Sequence, residues 1–408
     1  MKLSDLFFFI CIFIIFYTYV GYGILIYILV KIKDYFYTPQ HPLTPFTNEL
    51  PEITLFIAAY NEEEVIDEKM RNCLEIDYPE DKLNILWVTD GSNDRTNEYL
   101  SQWKQAKVLY EVKRSGKTAA INRGIKYVTS PIVVFTDANA MVNKESLQEI
   151  ASKFTNPKVG CVAGEKRIII QNKSNAASGG EGLYWKYESF LKSLDSRFHS
   201  TIGAAGELFA IRRELFEEMD TTTLLDDFIL SMRIAMRGYT IAYCPEAYAS
   251  ESGSVDMQEE EKRKTRIAAG GLQSIWRLRD LLNIFKYGWL SSQYISHRVL
   301  RWSITPILLF LIFPVNLWLI FNSEHILFYI ITFLLQTLFY ATGLLGYRLS
   351  RKHIKNKILF IPYYFLFMNL NVIKGGYYLY KHKNSINGTW KKAVRAKRVF
   401  DTNDAGEL

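Results

Sequence analysis

Pro131-Ile-Val-Val-Phe-Thr-Asp137-Ala-Asn139-Ala140 is an apolar run that stops abruptly on two oxygen-bearing side chains. Ile132 to Thr136 reads as a strand buried on both faces, the kind found in a parallel sheet covered by helices. In open α/β sheets, ligands sit just beyond the carboxyl ends of the strands. Asp137 and Asn139 are two apart, hence on one side of an extended segment, where both can reach a hard divalent cation set against a diphosphate. The competing explanation is a strand that ends in an Asx turn. The flanking segments decide between them.

On the amino-terminal side, Ile53 to Ala58, Leu83 to Thr89 and Lys107 to Val112 also read as strands. Helices are expected near Glu62 to Glu75, Asp94 to Lys104 and Lys117 to Tyr127. This alternation predicts βαβ units and a parallel sheet. Polar groups follow the strand ends: Ala59-Tyr60-Asn61-Glu62-Glu63 after the first, and Thr89-Asp90-Gly91-Ser92-Asn93-Asp94 after the second. Any one of these is explicable as a turn, and Asp94 is expected to cap its helix. Several acid and amide groups at one sheet edge point instead to ligand chemistry. Further along, Gly203-Ala-Ala-Gly206-Glu207 places small residues before a strand, and Leu225-Asp226-Asp227 opens a helix with apolar Phe228, Ile229, Met232 and Ala235 at helical spacing. N-capping and dipole compensation are the ordinary explanation for such acids.

The chain has 408 residues, 49% of them hydrophobic, and the apolar excess lies at its ends, which places membrane segments around one soluble domain. Leu6 to Val30 is long enough to span a bilayer, and Lys31 and Lys33 place its carboxyl end in the cytoplasm. Residues 1–33 are therefore a membrane helix, 34–51 a proline-rich linker, and 52–275 a cytosolic domain. Residues 276–302 read as amphipathic interfacial helices, 303–380 as the carboxyl-terminal membrane region, and 381–408 as a basic tail. Ile358 to Tyr380 is interrupted by Asn369, Asn371, Lys374, Gly375 and Gly376, which favours a re-entrant or interfacial segment over a third crossing. The net charge of +7 comes largely from Lys and Arg flanking apolar runs, so lipid headgroups are the expected partner and nucleic acid is not. Cys11, Cys73, Cys161 and Cys244 have no zinc or disulfide spacing.

Ala58-Ala59-Tyr60-Asn61-Glu62, Asp90-Gly91-Ser92-Asn93-Asp94, Gly116-Lys117 with Asn122, Asp137-Ala138-Asn139, Leu225-Asp226-Asp227 and Arg263-Lys-Thr-Arg266-Ile267 occur in the order and approximate spacing of family-two inverting glycosyltransferases. In layout the chain resembles the membrane-embedded branch that includes cellulose, hyaluronan and poly-N-acetylglucosamine synthases. The resemblance covers about Ile53 to Gly271. It implies a GT-A type, Rossmann-like α/β fold that binds a nucleotide sugar, most simply UDP-linked. Ala59, Asn61, Glu62, Asp90, Lys117, Asp137, Arg263 and Arg266 would lie on the donor side, with Asp90 at the nucleotide. Asp137 and Asn139 would hold Mg2+ or Mn2+, and Asp227 would be the general base. A carboxylate at a helix start suits that role, since an inverting displacement needs a proton acceptor for the sugar hydroxyl.

The chain departs from the family pattern at three places. Asn139 stands for the second Asp of the metal pair, which leaves one charge fewer near the ion. Arg263 and Ile267 stand for the Gln and Trp of the Gln-x-x-Arg-Trp site, while Arg266 is kept. The basic run Lys262, Arg263 and Lys264 also fits a solvated or headgroup-facing helix. The expectation is transfer of a sugar to a saccharide or lipid-linked acceptor at the cytoplasmic face of the cell membrane. Single addition to a polyprenyl phosphate and a non-catalytic scaffold are the alternatives. Ile267 offers no flat ring for a sugar face. Short or single-sugar products are therefore expected from the purified chain, and Ile267→Trp should not abolish transfer; long homopolymer in mass spectra of wild-type products would refute this.

Overall fold

The computed structural model describes residues 2–36, 50–169, 176–352, 354 and 357–382. Most of the expected linker and nearly all of the basic tail lie outside them. Eight strands form one sheet in the order β3-β2-β1-β4-β7-β6-β8-β5. They are β1 (Ile53–Ala59), β2 (Leu83–Asp90), β3 (Ala106–Glu111), β4 (Ile132–Asp137), β5 (Met141–Val142), β6 (Val159–Ile169), β7 (Leu208–Arg212) and β8 (Thr240–Ser252). β1 to β4 pair in parallel, as their alternation with helices requires. Beyond them β6 and β8 also pair in parallel, but β7 runs antiparallel to β4 and to β6, and β5 antiparallel to β8, so the sheet is mixed. The reason is that β7 inserts beside β4, where the Phe135 and Phe209 rings stack 4.8 Å apart and continue the aromatic core across the change in direction.

Both faces of the sheet are covered, which explains the unbroken apolar runs. Phe56, Val88, Val133 and Phe135 lie in one core, and Leu55, Ile57, Trp87 and Val134 in the other. The flanking helices are α2 (Ile66–Leu74), α3 (Thr96–Leu100), α4 (Lys117–Gly124), α5 (Ser146–Lys153), α6 (Ala176–Phe198) and α7 (Asp226–Met236). α2 and α3 are shorter than expected because the chain before each is spent on a loop. Asn61 takes a left-handed φ of 53°, and Asp94 accepts hydrogen bonds from the amides of both Glu63 and Thr96, tying the two loops together.

Four helices are long and apolar enough to cross a membrane: α1 (Leu3–Phe36), α9 (Ile304–Asn322), α10 (Ile326–Arg351) and α11 (Lys357–Lys381). α1 carries a π-helical turn at Tyr17–Gly21. α11 is unbroken, although its Asn and Gly residues were read as interruptions. They are packing residues instead. Asn369 accepts a hydrogen bond from Tyr19, Asn371 accepts one from Thr265 at 2.7 Å, and a Cβ on Gly375 would fall 2.7 Å from the backbone nitrogen of Ala269. The pairs Tyr364–Glu260, Asn371–Thr265 and Gly376–Leu272 advance together, so α11 runs beside α8 (Met257–Arg277) in the same direction.

Residues 279–302 form a series of short helices that leave Ile284, Phe285 and Trp289 exposed, as an interfacial segment should. Of their basic residues Arg279 and Lys286 are exposed, but the last three do not face solvent. His297, Arg298 and Arg301 are buried around Glu188 of α6, which accepts hydrogen bonds from both arginines. One position tests the tightness of the sheet–helix packing. A Cβ on Gly124 would come within 2.6 Å of the Phe56 ring and the Val88 side chain. Gly124→Ala should cost roughly 1–3 kcal/mol through overpacking, read as a lower Tm of the detergent-purified protein.

Candidate active site

The ends of β1, β2 and β4 line up, with Ala58 beside Asp137 and Ala59 beside Thr89, so the loops that follow share one edge of the sheet. Asn61 and Asn93 exchange hydrogen bonds at 2.7 and 3.0 Å, the Asn61 amide donates to Ser92, and the Glu62 amide donates to Thr96. Asn61 and Glu62 thus set the shape of this edge, and Arg114 stacks over Tyr60 with 3.6 Å to the ring centroid. Asp90 is only 3% exposed. Its Oδ2 accepts the amides of Ser115 (2.9 Å) and Gly116 (2.6 Å), while its Oδ1 has no hydrogen-bond partner and lies 3.7 Å from Arg123. A buried acceptor oxygen left open at this edge is suited to a nucleotide donor group. Arg123 was not singled out in the sequence, where it looks like any basic residue near a helix end.

The chemistry gathers one layer further along. Lys117, at the start of α4, places Nζ 2.6 Å from Asp137 Oδ1. Asp226 and Asp227 open α7, yet neither is the N-cap, a place taken by Leu225. Asp227 Oδ1 accepts only the adjacent Phe228 amide, at 2.8 Å, and the buried Asp226 Oδ2 has no hydrogen-bond partner. Capping therefore does not explain this pair. A Cβ on Gly206 would stand 3.3 Å from Asp227 Oδ2 and 3.4 Å from Lys117 Nζ, so this glycine keeps open the space between the acid and the amine. Burial and the neighbouring Asp226 push the Asp227 carboxyl up to about 7, against the opposing pull of Lys117. Burial disfavours the charge on Lys117, but Asp137, Asp226 and Asp227 outweigh it and hold its pKa above the usual lysine range. Arg266 of α8 is partly buried, which depresses its pKa, and the same three aspartates oppose that depression. Their charges all reach it.

Lys117, Asp137, Asp226, Asp227 and Arg266 are thus brought together. Asn139 lies in the turn directly after Asp137, not in the extended segment that the sequence suggested. A divalent cation fits this place: the donors are hard oxygens, and an ammonium already rests against Asp137. Arg263 points elsewhere. It is 10% exposed and lies 3.6 Å from Glu251 and 3.3 Å from Glu260. Lys264 is 4% exposed and also pairs with Glu260, so of the basic run only Lys262 is exposed. Lys166 bridges Glu251 to Glu207, and Glu207 in turn raises Asp227 electrostatically. Lys166 and Glu251 lie on strands where a charge has no obvious solvent face, a signal that could have flagged this network. Trp276 does not replace the missing ring at 267. It is 71% exposed under Arg279 and about 15 Å along α8 from Arg266.

The family model described as glycosyl transferase family 2 matches residues 54–220. Poly-beta-1,6-N-acetyl-D-glucosamine synthase of Staphylococcus aureus (strain COL) is 29% identical over 251 residues, covering 59% of this chain and 58% of that protein. The probable glycosyltransferase YdaM of Bacillus subtilis (strain 168) is 27% identical over 263 residues, 58% of this chain and 59% of that one. The chain thus aligns with less than two thirds of either relative. Among solved structures, a mannosyltransferase, PcManGT from Pyrobaculum calidifontis, in complex with GDP-Man and Mn2+, superposes with a TM-score of 0.66 at 22% identity, over 91% of this chain and 97% of that chain. The expected GT-A type fold is the one the sheet adopts.

If Asp227 must lose its proton to act, activity should fall as pH drops through about 7. Asp226→Asn removes a like charge, so it should lower that pKa and move the acid limb of kcat/KM to lower pH. A limb that stays in place or moves upward would show that Asp227 is not the titrating group.

Proposed function

Taking the chain as the bearer of a glycosyl transferase family 2 domain over residues 54–220, we propose that it transfers a sugar from a nucleotide-sugar donor to a saccharide or lipid-linked acceptor, with inversion at the anomeric carbon. The observation that carries this reading is the meeting of Lys117, Asp137, Asp226, Asp227 and Arg266 beside the space left by Gly206. The donor's diphosphate lies against Lys117 and Arg266, whose cationic side chains offset the charge that develops as the nucleoside diphosphate departs. Asp137 and Asn139 would hold Mg2+ or Mn2+, which when bound supplies Lewis-acid stabilisation of the leaving group. Asp90 and Arg123 shape the nucleotide end. Asp227 accepts the proton of the acceptor hydroxyl, whose oxygen attacks the anomeric carbon from the face opposite the leaving diphosphate. A raised carboxyl pKa makes Asp227 a stronger base than an exposed aspartate once it is ionised.

The donor is UDP-linked, and N-acetylglucosamine is the first sugar to test because both the family layout and the S. aureus relative point to it. Polysaccharide or cell-envelope glycan synthesis is the process this serves. The domain faces the cytoplasm: Lys33, at the end of α1, donates to the carbonyls of Arg197 and Phe198 in the domain, which supports a positive-inside orientation. α8 joins the domain at both ends, through Asp256 after β8 and through Arg277, which donates to Thr222 and Thr223. α11 lies along it, which supports an interfacial α11 and a tail on the catalytic side. Ile267 favours short products or single addition to a polyprenyl phosphate over long polymer.

The test is mass spectrometry of products from the purified protein offered UDP-N-acetylglucosamine, other UDP-sugars and GDP-mannose. Transfer should be lost in excess chelator and restored by Mg2+ or Mn2+. Asp227→Asn should bind donor normally and slow transfer at least about a hundredfold. Absence of transfer and of donor hydrolysis with every nucleotide sugar would favour a scaffold.

A further inference from the structure

The turn that carries Asp137 and Asn139 is held from behind by a lysine that the reaction just described does not use. Lys69 lies on α2 between Ile66 and Cys73, on the face that enters the core, and it is fully buried. Its ammonium donates to the Thr136 hydroxyl at 3.1 Å and to the Ala140 carbonyl. These two residues bracket Asp137-Ala138-Asn139. The Ala140 amide donates back to the Asp137 carbonyl at 3.1 Å, so the segment is a closed four-residue turn whose last carbonyl rests on Lys69. The contact continues through Thr136, whose hydroxyl donates to the Glu207 carbonyl at 2.9 Å, next to Gly206. Three residues on, Asn72 grips β5 as a neighbouring strand would: its amide donates to the Val142 carbonyl at 2.8 Å and its oxygen accepts the Val142 amide at 2.9 Å. α2 is in turn fixed to the sheet, since Ile66, Met70 and Cys73 are buried and Trp87 donates to the Met70 sulfur at 3.1 Å.

Packing alone does not call for a charge at position 69. An ammonium taken fully out of water is costlier to bury than an apolar chain of similar length, unless it holds something in return. We propose that Lys69 is the positioning residue of the metal site, setting the separation of the Asp137 and Asn139 oxygens by fixing the backbone on both sides of them. The inference rests on the reading of Asp137 and Asn139 as ligands of a divalent cation. Groups that hydrogen-bond behind metal ligands orient them, and their loss typically lowers metal affinity about ten- to a hundredfold. Mg2+ in particular tolerates little departure from octahedral geometry, so a turn that relaxes offers its oxygens at the wrong spacing. The link through Thr136 also fixes this turn against the loop of Gly206, where Asp227 stands.

The experiment uses the full-length protein in detergent with Mn2+ and UDP as probes. Mn2+ binding is followed by electron paramagnetic resonance, and UDP binding without metal by calorimetry. Lys69→Met keeps the stem and removes the donors. It should raise the Kd for Mn2+ in the presence of UDP at least about tenfold, with metal-free UDP affinity within about threefold of wild type. Transfer by this variant should need correspondingly more Mn2+ for its half-maximal rate, yet come within about threefold of the wild-type rate once Mn2+ saturates. Thr136→Val, which loses the hydroxyl that Lys69 meets, should weaken Mn2+ binding in the same direction, and Thr136→Ser should keep it within about threefold of wild type. This second pair decides the matter if Lys69→Met does not fold. Wild-type Mn2+ affinity in Lys69→Met, or in Thr136→Val, would overturn the positioning role and leave the metal site standing. A parallel loss of metal-free UDP affinity would make Lys69 a general structural residue and overturn it as well. A wild type that binds no Mn2+, or whose Mn2+ binding survives Asp137→Asn unchanged, would instead remove the metal reading, and the positioning role with it.

Discussion

Three carboxylates at one edge of a sheet repel one another, and the arrangement around Lys117 is what makes their convergence tolerable. Its ammonium lies 2.6 Å from Asp137 and within range of Asp226 and Asp227, which come from the far side of the domain. Arg266 adds a second cation from α8. Partly buried charges of one sign need such partners because the surrounding protein solvates them poorly. The site is therefore an assembly of four separate parts: a strand end, the start of α4, the start of α7, and a helix that follows the last strand in the chain. Gly206 leaves a gap among them, between an acid and an amine. Space bounded by opposite charges suits a reaction that moves a proton one way and a diphosphate the other.

The same rule organises the junction between the domain and the helices that flank it. Glu188 and Asp195 of α6 are buried with Arg298, Arg301 and His297 from the interfacial segment, and Tyr22 of α1 donates to Asp195. Buried ion pairs contribute little net stability, but breaking one by removing a partner is strongly destabilising. Their effect here is to specify one seating of α1 and the interfacial segment on the catalytic domain. A second network, Glu207–Lys166–Glu251–Arg263–Glu260–Lys264, ends on α8, and Tyr364 of α11 donates to Glu260. Burial works to raise Glu260, yet Lys264 and Arg263 bring its carboxyl down to about 2, so it stays charged. The position of Arg266 is thereby tied to helices far from it in sequence.

The departures from the family pattern look different in this light. Arg263, in place of a glutamine, is committed to Glu251 and Glu260 and serves the placement of α8. Ile267 puts an aliphatic side chain on α8 where the family pattern has an aromatic ring. At the proposed metal position Asn139 would lower the charge without removing an oxygen ligand, and Lys117 Nζ lies 2.6 Å from Asp137 Oδ1.

Local sequence determined the parallel half of the sheet, because strands covered on both faces must read as unbroken apolar runs such as Ile132 to Phe135. It also determined that Asp90, Asp137 and the Asn61 loop share one edge, since parallel strands joined by helices present their carboxyl ends together. The helices long and apolar enough to cross a membrane were legible from length and apolarity, except α11, whose Asn and Gly residues read as interruptions. Tertiary structure decided what composition leaves ambiguous. Asp226 and Asp227 looked like helix caps, and only the approach of Lys117 and Gly206 separates them from that role. Lys264 looked like a solvated base, and Gly375 like a helix break, until the partner surfaces on Glu260 and Ala269 were in place. Lys166 and Arg123 carry no local signal, because the worth of a buried charge depends on which distant groups surround it, and that is a property of the fold.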